Sequence, residues 1–218
     1  MSNQRSLDML HQNAGNWLLS RHLFIYSAPP AVANTRAVDF GGRGGAIANP
    51  GAANRADRAG YIQTQGHPAG RAARIMAPGA MAFMAVDAVQ EVMGYIPMKR
   101  ATDFNLMHDG FFDTLAGFGG VRFAITSQIT NCCFIWDKGT NRIAHLQPNA
   151  GLTGPALRAG LAQRGGGWTL FGQGTNMGNG EYVDGEDVTI IGVNSGGWRI
   201  YAQVHTRANT DILRVVEL

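Results

Sequence analysis

Beyond Gly119 the chain is a succession of short apolar runs separated by turn-forming residues, the pattern of a sheet protein. VRFAITSQI, CCFIW and NRIAHL read as strands, each rich in β-branched or aromatic residues. VTIIGV and WRIYAQVH flank Asn194-Ser195-Gly196-Gly197 as a hairpin, and DILRVVEL reads as a terminal strand. Between these groups, Pro155 to Gln163 fits a helix with its proline near the first turn, followed by a strand at WTLF.

The first half is patterned differently. In residues 5–24, Leu7, Leu10, Trp17, Leu18 and Leu19 recur at loosely helical spacing, which predicts one helix broken at Gly15. From about 27 to 79 the chain is dense in Gly, Ala, Pro, Asn and Arg with few large apolar residues, which predicts a long irregular segment. Its GGRGG stretch lacks the GK[ST] ending of a phosphate-binding loop and reads as linker. Residues 80–98 are apolar without a clean period, so helix and strand both stay open, and Met81, Met84 and Met93 read as core filler. The sum is an α/β (α+β) fold, a sandwich-like domain with a mostly antiparallel sheet flanked by helices, in one domain spanning 1–218.

Composition narrows the function classes. Of 218 residues, 45% are hydrophobic and 15% charged, which excludes a disordered tail. Lys and Arg exceed the acids by only three, so the pI near 9.1 reflects few ionisable groups, and a nucleic-acid partner is not expected. Arg36, Arg43, Arg55, Arg58, Arg71 and Arg74 read as scattered positive charge on a solvated loop. No apolar run approaches the roughly 18 residues of a membrane span, and Met1 to Trp17 holds no secretory apolar core, so neither a membrane nor a signal-peptide route is expected. The only cysteines, Cys132 and Cys133, are adjacent; a bond between them would close a strained ring, so both are expected as free thiols.

The chemistry concentrates in CCFIWDKGTNRIAHL. Two apolar runs flank Asp137-Lys138-Gly139-Thr140, which predicts a hairpin. If its loop is Lys138-Gly139, Cys132 lies opposite His145; if Thr140 joins the loop, Cys133 takes that place. Either pairing brings a thiol beside an imidazole, the arrangement that generates a thiolate and returns a proton to a leaving group. Those roles suit acyl transfer at an amide, with backbone N–H groups around Asn131 and Cys132 as an oxyanion hole. Two adjacent cysteines and one distant histidine do not make a closed zinc set, and no metal or cofactor is expected. His11, His22, His67, His108 and His205 have no evident partners in sequence and are assigned no role. GQGTNMGNGEYVDGED lacks calcium-loop spacing and reads as a mobile loop near the site's rim. Trp198, Ile200 and Tyr201 read as core and sheet-face residues.

Residues 126–148, TSQITNCCFIWDKGTNRIAHLQP, resemble the catalytic segment of the superfamily that includes the cytotoxic necrotizing factor catalytic domain, the Burkholderia lethal factor and the chemotaxis receptor glutamine deamidase. In that family a small-residue turn leads into the nucleophilic cysteine and the histidine follows on the next strand. Asn131-Cys132 resembles the Ser/Gly-Cys step, Ile129 fills the apolar position three before it, and Ile143-Ala144-His145 with Pro148 resembles the histidine strand. Several members place a threonine six residues before the nucleophile, where it orients the histidine. Thr126 has that spacing from Cys132, which favours Cys132 with Cys133 as the alternative. The chain departs from the family in Asn131, in the extra thiol of Cys133 and throughout residues 1–118.

The resemblance implies a toxin-type glutamine deamidase working through a Cys-His thioester. Its substrate would be a target-cell protein such as a Rho-type GTPase or a translation helicase. The enzyme would act as a monomeric virulence effector, secreted by a dedicated route into the target-cell cytosol. Two rivals are a cysteine protease or transglutaminase-like acyl transferase, and a non-catalytic protein-binding module.

Overall fold

Each strand of the C-terminal half has apolar residues on both its faces, which requires cover on both sides of every sheet. The computed structural model supplies it with four layers. It describes residues 3–20, 23–25, 34–39, 60–63, 72–74, 81–83, 89–101, 112–126, 128–207 and 212–218. Helices α1 (Asn3–Gln12) and α2 (Ala14–Ser20) pack on an eight-stranded sheet, which stacks on a smaller sheet, whose far face is covered by α3 (Gly154–Arg164).

The large sheet is built from β1 (Leu23–Ile25), β2 (Asn34–Asp39), β3 (Gly60–Gln63), β6 (Val89–Ile96), β9 (Phe123–Thr126), β13 (Glu186–Asn194), β14 (Trp198–Thr206) and β15 (Ile212–Glu217), in the order β1-β3-β2-β6-β9-β13-β14-β15. The smaller one runs β12 (Thr169–Gly172), β10 (Cys133–Asp137), β11 (Arg142–Pro148), β7 (Met98–Ala101), with β8 (Asp113–Thr114) also on β11. A separate pair joins β4 (Ala72–Arg74) and β5 (Met81–Phe83). Pairing is mostly antiparallel; β1–β3, β6–β9 and β7–β11 are parallel. The fold is therefore the mixed sandwich the sequence pattern predicts.

Strict side-chain alternation sorts the core into layers. Phe123, Ile125, Ile191, Val193 and Tyr201 face Leu7, Leu10, Trp17 and Leu18 of the N-terminal helices. Ala124, Ile190, Ile200, Ala202 and Val204 face Phe134, Trp136, Ile143 and Phe171 across the sandwich. Ile135, Ala144 and Leu146 face Leu157 and Leu161 of α3. Each of those two leucines contributes about 1.5–3 kcal/mol by leaving water. Thr153 caps α3 by accepting from Ala156 N at 3.3 Å, and Gly165 ends it at φ 63°, a left-handed conformation suited to glycine.

Two sequence expectations are corrected and one open choice is resolved. The N-terminal helix breaks at Asn13 instead of Gly15; Asn13 N still bonds Met9 O and Asn13 O accepts from Trp17 N, so the two helices abut. Within 27–79, β2, β3 and β4 are strands, because β6 offers β2 a ladder and β2 offers one to β3; backbone pairing needs no large side chains. The rest of that segment, with Arg43, Arg55, Arg58 and Arg71, lies outside the described residues. Residues 80–98 resolve as strands where described, with Met93 buried. Among the described residues no helix is long and apolar enough to cross a membrane.

Candidate active site

The hairpin forms, but in a register that neither sequence alternative contained. Asp137 pairs with Arg142, leaving Lys138-Gly139-Thr140-Asn141 as the loop. The Asp137 carboxylate organises it, accepting from Gly139 N at 3.1 Å, Thr140 N at 3.3 Å and the Thr140 hydroxyl at 2.5 Å. Asn141 closes the turn at φ 54°, a left-handed conformation asparagine tolerates. The consequence is that His145 lies opposite Phe134, and neither cysteine is its direct cross-strand partner.

The two thiols go to opposite faces. Cys132 lies in the layer between the sheets with Phe134, Trp136 and Ile143, the face that also carries His145. It is therefore the diagonal neighbour of the imidazole, at a separation that for such pairs is about 7–8 Å between backbones. Cys133 points away, into the layer under α3 with Leu157 and Leu161. A Cβ on Gly172 would stand 2.6 Å from its Sγ, so the neighbouring strand seals it. Burial pushes the Cys133 thiol well above its ordinary pKa, and the nearby Cys132 and Glu181 act in the same direction.

His145 is fully buried and held by one contact, Nδ1 to Thr126 Oγ1 at 2.7 Å. The tautomer follows from the next bond. Thr126 Oγ1 donates its single proton to Ile96 O at 2.7 Å, so His145 Nδ1 must be the donor to Thr126 and Nε2 carries the lone pair. Nε2 is buried and makes no hydrogen bond, with Cys132 Sγ or any other atom. Burial lowers the imidazole pKa to about 3. Burial also raises the Cys132 thiol to about 12, partly offset by the backbone amides of Asn131 and Thr130, which favour the thiolate. The resting pair is thus a neutral thiol and a neutral imidazole.

Two exposed side chains flank the sulfur. Cys132 Sγ is 3.6 Å from Asn131 Oδ1 and 4.0 Å from Met98 Sδ, while its own residue is only 3% exposed. Met98 is the register partner of His145 on β7 and is 44% exposed, so it lies on the solvent side of the site. Beneath, Tyr182 OH donates to Cys132 O at 2.7 Å and holds the backbone of the thiol-bearing residue. Tyr182 stacks on Phe171, ring centroids 6.1 Å apart. Nothing in the sequence flagged Met98 or Tyr182, because each reaches the site from a distant strand or loop.

The Gly/Asn-rich loop expected as mobile is held by its own side chains. Asn179 Nδ2 donates to Thr175 Oγ1, Asn176 Oδ1 accepts from Gly178 N, and Gly174 N bonds Tyr182 O. Arg158 grips Glu181 at 2.6 Å, and Glu181 also accepts from Gly172 N. On the opposite face of the large sheet the structure gives partners to His205, a residue whose sequence context assigned it no role. His205 Nε2 lies 3.3 Å from Gln128 Nε2, which also donates to Asp187. His205 Nδ1 lies 3.2 Å from Thr206 O, and burial lowers its pKa to about 4. Thr189, beside it, donates to Leu23 O, so this cluster ties β1 to the sheet.

Removing the Thr126 hydroxyl tests the tautomer argument. Thr126→Val keeps the shape but leaves the buried Nδ1–H and Ile96 O unsatisfied, and is expected to cost about 1–3 kcal/mol in chemical denaturation. The Nδ1–H resonance of His145 should move or vanish in the NMR spectrum of the variant, whereas Thr126→Ser should preserve it. An Nε2–H tautomer in the parent protein would contradict the assignment.

Among the described residues no three His, Cys, Asp or Glu side chains gather as a metal site. No family model and no curated protein matches the chain.

Proposed function

We propose that this chain is a cysteine-dependent protein-glutamine deamidase of the toxin type. Cys132 is its nucleophile, His145 its general base and acid, and Thr126 the residue that orients the imidazole. The observation that supports the reading most is the Thr126 bond to His145 Nδ1, which leaves a bare, buried Nε2 on the same face as Cys132.

In this reaction Nε2 takes the thiol proton as sulfur attacks the carboxamide carbon, and the Asn131 and Thr130 amides beside the sulfur favour the thiolate that attacks. Collapse of the tetrahedral intermediate breaks the C–N bond. His145 returns its proton to the departing ammonia and a thioester remains. Water, deprotonated by Nε2, then hydrolyses the thioester to glutamate and restores the thiol. The proposed reaction requires the thiol to turn from Asn131 Oδ1 towards Nε2 when substrate binds.

Both neutral resting forms are compatible with this order of events, since catalytic contacts often tighten only with substrate. The sealed position of Cys133 disfavours it as nucleophile. The resemblance of residues 126–148 suggests a regulatory protein of a target cell, such as a Rho-type GTPase or a translation helicase, reached by dedicated secretion. Peptide mass spectrometry of such proteins after incubation with the chain tests the reaction. The expected result is the roughly one-dalton gain of amide-to-acid conversion at one glutamine. Chain cleavage would indicate a protease, glutamine-to-amine cross-links a transferase, and unmodified substrate bound to the chain a binding module.

A further inference from the structure

Beside the thiol, on the far side of Asn131, the structure contains an open cleft of about 930 Å³. Its walls include Thr130 and Asn131 ahead of Cys132, Leu152 and Gly154 at the start of α3, and Gln173 and Thr175 after β12. Gly154 makes the close approach possible. A Cβ there would overlap Gln173 Oε1 and stand 2.7 Å from Asn131 O, so only glycine lets α3 abut the turn that carries the thiol.

The lining chooses among ligand classes. The charged side chains on the cleft are Asp184 and Arg207, and they neutralise each other at 3.0 Å, with Arg207 also 3.3 Å from Asp187. Threonine, asparagine, glutamine and glycine supply the remaining polar groups, which pair with neutral amides, while Leu152 and Pro155 add apolar wall. A phosphate or an acidic peptide would meet no unpaired cation there. The volume is of the size that accommodates a drug-sized ligand, roughly 300–1,000 Å³, and far exceeds one carboxamide. Asn131 joins cleft and thiol: it lines the one and its Oδ1 lies 3.6 Å from the sulfur of the other, so its carboxamide already stands where a substrate carboxamide must arrive.

We propose that this cleft binds an extended, uncharged peptide segment flanking the reacting glutamine, with the Asn131 side chain as a placeholder that the substrate carboxamide displaces. The inference rests on the deamidase reading and adds to it a subsite: a cleft that holds the neutral flank of the reacting glutamine.

Electrophilic glutamine analogues test it without knowledge of the natural target. The chain is treated with free 6-diazo-5-oxo-L-norleucine, and in parallel with the same group inside peptides flanked by alanine and serine, by lysine, or by aspartate; alkylation of Cys132 is followed by mass spectrometry. In this step the thiolate carbon–sulfur bond forms at the protonated diazo carbon as N2 leaves. The neutral peptide is expected to label Cys132 at least tenfold faster than the free analogue and faster than either charged peptide. Leu152→Trp, which fills the cleft away from the reacting groups, should remove that advantage and leave labelling by the free analogue unchanged. Equal rates for free and peptidyl analogues, or a peptide advantage that survives Leu152→Trp, would overturn the cleft as the binding site. Failure of every analogue to label Cys132 would overturn the deamidase reading itself, and the subsite with it.

Discussion

Cys132→Ser is expected to lower deamidation by at least about 10³-fold with the fold retained, because on the proposed reading it removes the covalent nucleophile and with it the whole catalytic unit. The parallel variant Cys133→Ser should retain activity within a few-fold. Its cost falls on stability instead, since a hydroxyl replaces a thiol among Leu157, Leu161 and Leu146. The contrast is sharp because strand alternation sends adjacent residues to opposite faces, one toward His145 and the other toward α3. Activity that survives Cys132→Ser and disappears with Cys133→Ser would place the chemistry under α3 and refute the site described. With the thiol raised to about 12, only about one molecule in 10⁵ carries a resting thiolate at pH 7, so iodoacetamide should label Cys132 slowly until a substrate analogue is present.

Acid should destabilise this protein at an unusually high pH. His145 and His205 are both buried neutral, with pKa values lowered by burial to about 3 and about 4 from an ordinary 6.5. In the unfolded chain each takes a proton near pH 6.5, while the folded protein takes none until far lower. Their contribution is therefore fully present above pH 6.5 and falls as pH drops through the window down to about 4. Each histidine contributes a slope of about 1.4 kcal/mol per pH unit, so the two together contribute about 2.7 kcal/mol per pH unit, or about 5 kcal/mol between roughly pH 6 and pH 4. Asp187 works the other way, since burial raises its pKa and the folded state holds its proton more readily than the unfolded chain does. Guanidinium unfolding at pH 7, 6 and 5 measures the slope, and His205→Gln should halve it. A slope near zero above pH 5, or either imidazole titrating near 6.5 in the folded protein, would refute the buried neutral assignment.

Much of the architecture was legible before any coordinates. Strands at 123–126, 133–137, 142–148, 169–172, 186–194, 198–206 and 212–217 fall on the apolar runs that predicted them, and α3 starts within one residue of Pro155. These elements carry their own signal, because alternation and capping are local. The N-terminal strands were not legible. β2 and β3 lie in Gly- and Ala-rich sequence and exist as pairs through partners elsewhere in the sheet, information a local window does not contain. The hairpin register was closer to hand than the reading made of it: Asp137 as a side-chain cap and Asn141 as a left-handed residue together mark a four-residue loop.

By itself, then, the sequence determined the sandwich class, the hairpin that separates thiol from imidazole, and the candidacy of Cys132, His145 and Thr126. Tertiary structure alone decided the rest. Stacking of the two sheets brought Thr126 of the large one against His145 of the small one, and its hydroxyl, already committed to Ile96 O, selected the imidazole tautomer. Burial raised the thiol and lowered the imidazole, and Met98 and Tyr182 reached Cys132 from separate parts of the chain. Protonation state and access depend on what surrounds a group in three dimensions, and residue spacing along the chain does not encode that.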